Sequence, residues 1–378
     1  PDWFFGLFGR RARTEDEGIR KRGSAIHVVI LDGTMSSLAE GRETNAGLTY
    51  KLLCEVSRSA NMTIHYEAGI QWRDWSNTWD VMTGRGINRG IKRAYGVVAS
   101  RYRAGDRIVL MGYSRGAFAV RSLAGVIDMV GLVRDDCATE RVIEQAYRHY
   151  RAGAKGDAAQ AFRKLNCHAG VQVEAVAVWD TVKALGLRLP VVWRWGQAQH
   201  AFHSHTLGSH IRHGFHALAK DERRAAYAPV MWDCPPDWKG HMEQVWFRGN
   251  HGDVGGQVWQ HPASRPLSNI PLVWMLEQLE RSGLPLPDNW RLRFPTDAEA
   301  PSVGTWGGWA KLFILRHRRE VGRDVTERVH FTAQTHRRAR HLPGHRRPRI
   351  YPAAPARWHA GAQPQTRCHA ARARLCPA

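Results

Sequence analysis

The sequence feature that most constrains the fold is an apolar strand that runs into a serine held between two glycines, and then into a helix. Residues 108–111 are apolar, Gly112-Tyr113-Ser114-Arg115-Gly116 follows, and 117–130 carries apolar residues at helical spacing. In a nucleophile elbow the serine sits on a strained turn, and the glycines two positions before and after it let strand and helix approach. The pattern therefore predicts Ser114 as a nucleophile and its flanking glycines as the elbow. The alternative is a plain strand-to-helix turn.

Further apolar runs alternate with helical stretches along the chain. Residues 26–31 and 62–66 are predicted strands, 86–102 has helical spacing, and two more β-rich runs end at Asp180 and near His251. This alternation predicts the α/β class, with an α/β-hydrolase-like three-layer fold in which a mostly parallel sheet has helices on both faces. Ligands bind at the carboxyl ends of such strands. The residues expected there are Asp32, Ser114, Asp180 and His251.

A serine hydroxyl needs a base, and the base needs an acid that fixes its tautomer. Elbow enzymes supply them in the chain order Ser, Asp, His, which Asp180 and His251 satisfy. His251 is selected among 20 histidines because its loop, G-N-H-G-D-V-G-G, is rich in glycine and follows a predicted strand. Asp180 is the preferred acid, and three other carboxylates stay open as alternatives: Asp253, Asp221 and Asp233.

The backbone is expected to supply the oxyanion hole. The N–H of Arg115 is the first predicted donor, and the second is expected from Gly33 or Thr34, because the loop after an early strand provides it in this fold. The run Asp221-Glu222-Arg223-Arg224 is predicted to form a structural ion-pair network outside the chemistry.

A histidine-rich stretch invites a metal-site hypothesis, since six histidines lie between His200 and His216. Their spacing places them on no single helical face, no H-E-x-x-H motif is present, and acidic partners are absent. We therefore expect a solvated or pocket-lining helix in this stretch, and neither a metal ion nor a cofactor.

The formal net charge of +21 suggests a polyanion partner, but the charge is unevenly distributed. Ten arginines and no acidic residue lie in 333–378, a stretch rich in Arg, His, Pro and Ala. It has no apolar periodicity, so we expect it to be disordered. Elsewhere basic and acidic residues are interspersed without a zinc-finger or RNP-like pattern, and nucleic acid is not an expected partner.

Residues 1–22 form a leader in which an aromatic cluster at 3–8 precedes arginines. It is either an interfacial anchor on anionic lipid or a segment that docks on the domain, which we favour. No signal-peptide pattern and no apolar stretch near the ~20 residues of a membrane span is present. Cytoplasmic synthesis is therefore expected, with export or a peripheral membrane contact afterwards. The predicted division is the leader, a hydrolase domain over 23–332 and a tail over 333–378.

Several short motifs follow one another along the chain. They are L-D-G-T from Leu31, A-Y at 94–95, G-D-R-I-V-L-M-G-Y-S-R-G-A-F from Gly105, V-W-D-T-V-K-A-L-G from Val178, L-A-K-D-E-R-R from Leu218 and W-F-R-G-N-H-G-D-V-G-G from Trp246. In this order they resemble the α/β-hydrolase catalytic domain of type VI secretion phospholipase effectors, over roughly 26–275. The departures from that family's pattern are Tyr113, Asn250, Gly252 and Gln257.

The resemblance implies Ser114, Asp180 and His251 as the catalytic triad, a lipid substrate, export by a type VI system, and secretion or immunity proteins as partners. With the residue patterns, it predicts a bacterial serine hydrolase that cleaves carboxylic esters, in particular lipid acyl esters, through an acyl-enzyme. Two alternatives from other classes stay open. One is an inactive binding module with the hydrolase fold, and the other is a polyanion binder that acts through the basic tail.

Overall fold

A computed structural model describes residues 23–69, 85–182, 206–305, 315–334 and 349–351 of the 378-residue chain. At its centre lies one eight-stranded sheet, in which all neighbouring strands are parallel. The strands are β1 Ile26–Leu31, β2 Met62–Glu67, β3 Arg107–Tyr113, β4 Val173–Trp179, β5 Ile211–Ala219, β6 His241–Phe247, β7 Glu327–His330 and β8 Arg349–Tyr351. Their order across the sheet is β2-β1-β3-β4-β5-β6-β7-β8.

Helices cover both faces of the sheet. The α-helices in the described ranges are α1 Asn45–Val56, α2 Arg85–Ala99, α3 Arg115–Met129, α4 Glu140–Arg151, α5 Asp157–Asn166, α6 His251–Gly255 and α7 Arg265–Arg281. None of these described helices has both the length and the apolar character needed to cross a bilayer. Successive strand residues face opposite sides: Val29 and Leu31 pack with α2 and α3, whereas Val28 and Ile30 pack with α1 and α7. The predicted three-layer α/β fold is confirmed.

The order of the strands positions the functional loops. From β1 the chain passes to β2 on one side, and it then returns through α2 to β3 on the other side of β1. At such a switch point the loops that leave the carboxyl ends of the two strands diverge, and ligands bind in the crevice between them. The residues that follow β1 and β3 are Asp32 and Ser114.

The predicted strands 26–31, 62–66 and 108–111 are observed as β1, β2 and β3, and the helix predicted over 117–130 is observed as α3. Every residue of β1 and of β4 is buried, which explains their nearly continuous apolar sequences, since a parallel sheet is covered on both faces. The helix α3 begins two residues earlier than predicted, at Arg115, because the elbow contains no intervening loop.

The prediction of a helix in the histidine-rich stretch is wrong for the second half of that stretch. Residues Ile211–Ala219 form β5, an interior strand that pairs with β4 and β6 along its length. Pairing on both sides satisfies the backbone, and the burial of Phe215 and Ala217 in the core outweighs the polar local composition. Residues 183–205, with the first histidines of the stretch, lie outside the described residues.

The tail expected to be disordered contributes a strand. Residues Arg349–Tyr351 form β8, which pairs in parallel with β7 at the sheet edge. This short run contains a β-branched and an aromatic residue, types favoured in strands, and to this extent the expectation of disorder is corrected. Residues 335–348 and 352–378 and the leader 1–22 lie outside the described residues, so the division of the chain stays a prediction.

Candidate active site

Ser114 lies in the turn between β3 and α3, at the carboxyl edge of the sheet. Its backbone has φ 58° and ψ −121°, a conformation that stores strain and is found mainly at functional sites. A Cβ atom on Gly116 would lie 2.1 Å from the carbonyl oxygen of Leu31, and one on Gly112 would lie 2.8 Å from Cα of Ala117. Glycine is therefore required at both positions, as in a nucleophile elbow.

Three side chains from separate parts of the chain form one continuous hydrogen-bonded line. Ser114 Oγ is 2.8 Å from Nε2 of His251, and Nδ1 of His251 is 2.6 Å from Oδ2 of Asp180. Because an ionised carboxylate only accepts hydrogen bonds, we assign the imidazole proton to Nδ1, which leaves Nε2 to accept from the hydroxyl. The three residues are 5%, 4% and 0% exposed. This arrangement can move a proton from the serine to the imidazole.

The other carboxylates considered for the acid role make different contacts. Asp253 accepts hydrogen bonds from two backbone N–H groups and one hydroxyl. Asp221 accepts the backbone N–H of Gly249 at the start of the histidine loop, and Asp233 is exposed. Of the four candidates, Asp180 is the one that the fold brings to the imidazole of His251.

His251 is the first residue of α6, and the start of this short helix fixes the imidazole. The Asn250 side chain accepts from the N–H groups of Gly252 and Asp253, while the Asp253 carboxylate accepts from the N–H of Asn250. This capping box satisfies backbone groups that a helix start otherwise leaves open. Two departures from the family pattern, Asn250 and Gly252, therefore take part in the cap.

Buried contacts hold the histidine loop from two sides. The Glu222 carboxylate accepts the N–H of His251 at 3.2 Å, and the Tyr113 hydroxyl donates to the carbonyl oxygen of His251 at 3.1 Å. Glu222 also forms an ion pair with Arg224 at 2.6 Å. The predicted ion-pair network thus supports the loop that carries the imidazole, a role that the sequence pattern did not indicate.

The electrostatics of the site set the charge of the acid and the base. Burial raises the pKa of Asp180, but the charge of Arg319 and hydrogen bonds from His251 and Arg319 outweigh it and hold this pKa well below its usual range. Burial lowers the pKa of His251, although Asp180 acts in the opposite direction. At neutral pH the carboxylate is therefore ionised and the imidazole neutral, as a general base requires. Sequence reasoning missed Arg319, which no motif marks.

The expected oxyanion donors lie around Ser114. Arg115 begins α3, so its N–H is one of the helix-start groups that have no intrahelical partner. The loop after β1 borders the serine, since a Cβ atom on Gly33 would lie 3.4 Å from Cβ of Ser114. The N–H of Gly33, however, donates to Oδ1 of Asp32 at 2.6 Å. This leaves Thr34 as the candidate donor of that loop.

Two side chains hold the loop after β1. Asp32 is buried and accepts from the hydroxyls of Thr44 at 2.6 Å and Tyr66 at 2.7 Å. Burial raises the pKa of Asp32 to about 6, against these hydrogen bonds. Nε2 of Gln257 donates to the carbonyl oxygen of Thr34 at 3.1 Å. Gln257, a further departure from the family pattern, thereby ties this loop to the chain that follows α6.

His216, from the histidine-rich stretch, supports the backbone next to Asp180. Its Nε2 accepts the N–H of Thr181 at 3.2 Å, and its Nδ1 lies 3.4 Å from Oε1 of Gln244. Burial lowers the pKa of His216 to about 3, so the folded protein holds this ring neutral. Within the ranges that the structure describes, no group of three or more His, Cys, Asp or Glu is arranged to hold a metal ion.

Acid is expected to destabilise the protein through His216. The unfolded chain takes up a proton on this histidine below pH 6.5, but the folded protein does so only near 3. Between these values the free energy of unfolding should fall by up to about 1.4 kcal/mol per pH unit. Replacing His216 with Gln removes the titrating group and should flatten the fall of the melting temperature with decreasing pH. The exposed His261→Gln is the control, and an unchanged slope in His216→Gln contradicts this account.

The chain is similar to one family of known proteins and, among others, to two individual proteins. Residues 26–278 match the family described as T6SS, phospholipase effector Tle1-like, catalytic domain. The uncharacterized protein YEL023C of Saccharomyces cerevisiae is 24% identical over an alignment of 268 positions, which covers 62% of this chain and 38% of that protein. The crystal structure of an uncharacterized protein from Pseudomonas aeruginosa matches with 16% identity and a TM-score of 0.38, over 72% of this chain and 49% of that chain. The chain thus spans less than half the length of either protein.

The family match covers more than half of the chain. It includes the strands from β1 to β6, the elbow and the histidine loop, and it ends within α7. Arg319 lies beyond its end. The resemblance drawn from the motifs is confirmed, and the chain belongs to the family of Tle1-like type VI secretion phospholipase effectors, whose catalytic domain it carries.

Proposed function

We propose that the protein is a serine hydrolase that cleaves acyl esters of phospholipids. The observation that carries this proposal is the hydrogen-bonded line from Ser114 through His251 to Asp180, built on a strained turn at the carboxyl edge of a parallel sheet. The direction of each pKa shift supports the protonation states that the base and the acid need. Membership in a phospholipase effector family supports a lipid substrate.

Acylation begins when Ser114 Oγ attacks the ester carbonyl carbon while its proton moves to Nε2 of His251. The carbonyl double bond opens, and the backbone N–H groups of Arg115 and Thr34 stabilise the negative oxygen. The imidazolium then gives its proton to the departing ester oxygen as the C–O bond breaks. This step releases a lysophospholipid and leaves the acyl group on Ser114.

Deacylation repeats the sequence with water as the nucleophile. His251 takes a proton from the water as its oxygen bonds to the acyl carbon, and the proton passes to Ser114 Oγ as the fatty acid leaves. In both halves Asp180 keeps the imidazole proton on Nδ1 and stabilises the imidazolium. The same three side chains therefore serve each proton transfer.

A fluorophosphonate probe is expected to label the folded protein at one residue, Ser114, because such probes react with serines that a neighbouring base activates. Peptide mass spectrometry after incubation identifies the labelled residue, and heat-denatured protein is the control. Folded protein that takes up no label would support the inactive binding module instead.

The substrate class needs a second measurement on the same protein. Release of lysophospholipid from vesicles of phosphatidylethanolamine and phosphatidylglycerol should accompany hydrolysis of p-nitrophenyl butyrate. Hydrolysis of the soluble ester without any release from vesicles would retain the serine chemistry and overturn the lipid substrate. Membership in an effector family is also compatible with export and with an immunity protein as partner, and both stay predictions.

A further inference from the structure

Both terminal nitrogens of Arg319 donate hydrogen bonds to the Asp180 carboxylate. Nη1 lies 2.5 Å from Oδ1, and Nη2 lies 2.9 Å from Oδ2, the same oxygen that faces His251 Nδ1 at 2.6 Å. The two side chains of the ion pair are 4% and 0% exposed. A two-pronged contact of this kind fixes the orientation of a carboxylate as well as its charge.

The guanidinium is itself held by the backbone. Nη1 donates to the carbonyl oxygen of Ala219 at 2.8 Å, and Nη2 donates to that of Tyr227 at 2.5 Å. These carbonyls belong to the end of β5 and to the segment that follows it. The planar fork of an arginine can bridge two carboxylate oxygens and two carbonyls at once, which the single ammonium group of a lysine does not do.

The positive charge changes what Asp180 does to the imidazole. A buried carboxylate without a second partner attracts a proton onto a neighbouring histidine, because the imidazolium would then be its only counter-ion. With Arg319 in contact, the carboxylate is already paired, and its pull on a proton at His251 is smaller. The carboxylate nevertheless keeps its hydrogen bond to Nδ1.

We propose that Arg319 is a positioning residue of this site, which aims the Asp180 carboxylate at His251 and balances its charge, so that the resting imidazole stays neutral into the acidic range. The importance of this role for turnover rests on the proposed hydrolase function. Arg319 lies outside the family match, so a segment beyond the catalytic-domain pattern completes the surroundings of the acid.

Other charged and titratable groups surround the imidazole and are left unchanged by a substitution at Arg319. They are Glu222 and Arg224 from the segment after β5, Tyr113 at the end of β3, Tyr227, and Arg115 of α3, which interacts with both tyrosines. A change in the titration of His251 on substitution of Arg319 therefore reports the loss of this one charge.

The test compares three variants of the full chain: Arg319→Met, Arg319→Lys and the matched control Arg316→Met. Arg316 lies on the same segment and donates to the hydroxyl and the carbonyl of Thr305, away from Asp180. Protonation of His251 is followed by NMR on protein with ¹⁵N-labelled histidine, where the resonance that is lost in His251→Gln identifies it. The pH dependence of kcat/KM on a soluble ester is measured in parallel.

In Arg319→Met, the unbalanced carboxylate should raise the pKa of His251, so that the acid limb of the activity profile moves up by about one pH unit. Arg319→Lys keeps the positive charge but loses the two-point contact with the Asp180 carboxylate. The acid limb of the activity profile should therefore stay near that of the wild type, while kcat falls roughly tenfold. Arg316→Met should leave both readings unchanged.

An unshifted His251 titration in Arg319→Met, or an equal shift in Arg316→Met, overturns the proposal. If Arg319→Met does not fold, Arg319→Lys still decides, because an unaltered kcat in that variant contradicts the positioning role. The NMR titration needs no turnover, so protein that hydrolyses no ester in any form would refute the proposed function while the charge effect of Arg319 is still measured.

Discussion

Replacing Ser114 with alanine is expected to lower ester hydrolysis by at least about 10³-fold, since a serine triad loses nearly all of its rate when the nucleophile is removed. Alanine keeps the backbone of the elbow and the burial of the turn, so the fold should be retained. The substitution removes the hydroxyl that contacts Nε2 of His251, so the imidazole no longer has a nucleophile to deprotonate. The rate is measured with p-nitrophenyl butyrate and the melting temperature by circular dichroism.

The control for this change is Ser122→Ala. Ser122 is fully buried two turns further along α3, and its hydroxyl donates to the carbonyl oxygen of Phe118. Ser122→Ala deletes the same hydroxyl group from the helix that follows the elbow, at a position where the hydroxyl contacts Phe118 and none of the three side chains of the hydrogen-bonded line. Ser114→Ala protein that works within tenfold of the wild type would show that another group is the nucleophile.

Replacing Asp180 with asparagine is expected to lower turnover by on the order of 10⁴-fold. Two donors, Nη1 of Arg319 and the N–H of Ala219, meet at Oδ1, so the amide oxygen should occupy that position. The amide NH₂ group would then face Nδ1 of His251 and force its proton onto Nε2. In that tautomer the imidazole has no lone pair toward Ser114, and it does not act as the base.

The same substitution should also destabilise the protein. From the sequence alone, an isosteric change of Asp to Asn is expected to alter the melting temperature little. The structure indicates otherwise, because Arg319 would be left as a buried charge without its partner, at an expense on the order of 3 kcal/mol. Asp253→Asn is the matched comparison, since this buried carboxylate serves the histidine loop and not the ring. A larger loss of turnover in Asp253→Asn than in Asp180→Asn would assign the acid role to the other carboxylate.

The strained serine illustrates how much of this site is local in origin. The pattern of a strand, Gly-x-Ser-x-Gly and a helix specifies a turn whose glycines must lack side chains, because the backbones of Leu31 and Ala117 lie where a Cβ atom would be. The need for glycine at these two positions is visible in five consecutive residues, 112–116, so the elbow can be predicted without knowing the rest of the fold. The parallel sheet places successive strand ends at one edge, and this brings together a serine, an acid and a histidine that lie far apart in the chain.

The assignment of β5 shows where local patterns fail. Its histidines and single glycine do not have the composition of a buried strand, and a helix is a reasonable expectation from the sequence. Two neighbouring strands and a core position for Phe215 decide the outcome, and both depend on contacts with distant parts of the chain. The sequence made His216 a candidate metal ligand. In the strand, its neutral ring instead accepts a hydrogen bond from the N–H of Thr181.

The sequence by itself determined the fold class, the elbow that carries Ser114 and the preferred positions of the acid and the base, because these follow from short periodic patterns and from residues placed just after predicted strands. Only the tertiary structure decided which carboxylate reaches His251, that the N–H of Gly33 is already engaged, and that Arg319 pairs with Asp180 across 139 positions of the chain. The physical reason is that a hydrogen bond, or a hydrogen-bonded ion pair, forms only when donor and acceptor lie about 3 Å apart. Which groups come that close depends on how all the strands and helices pack, and no local pattern records it.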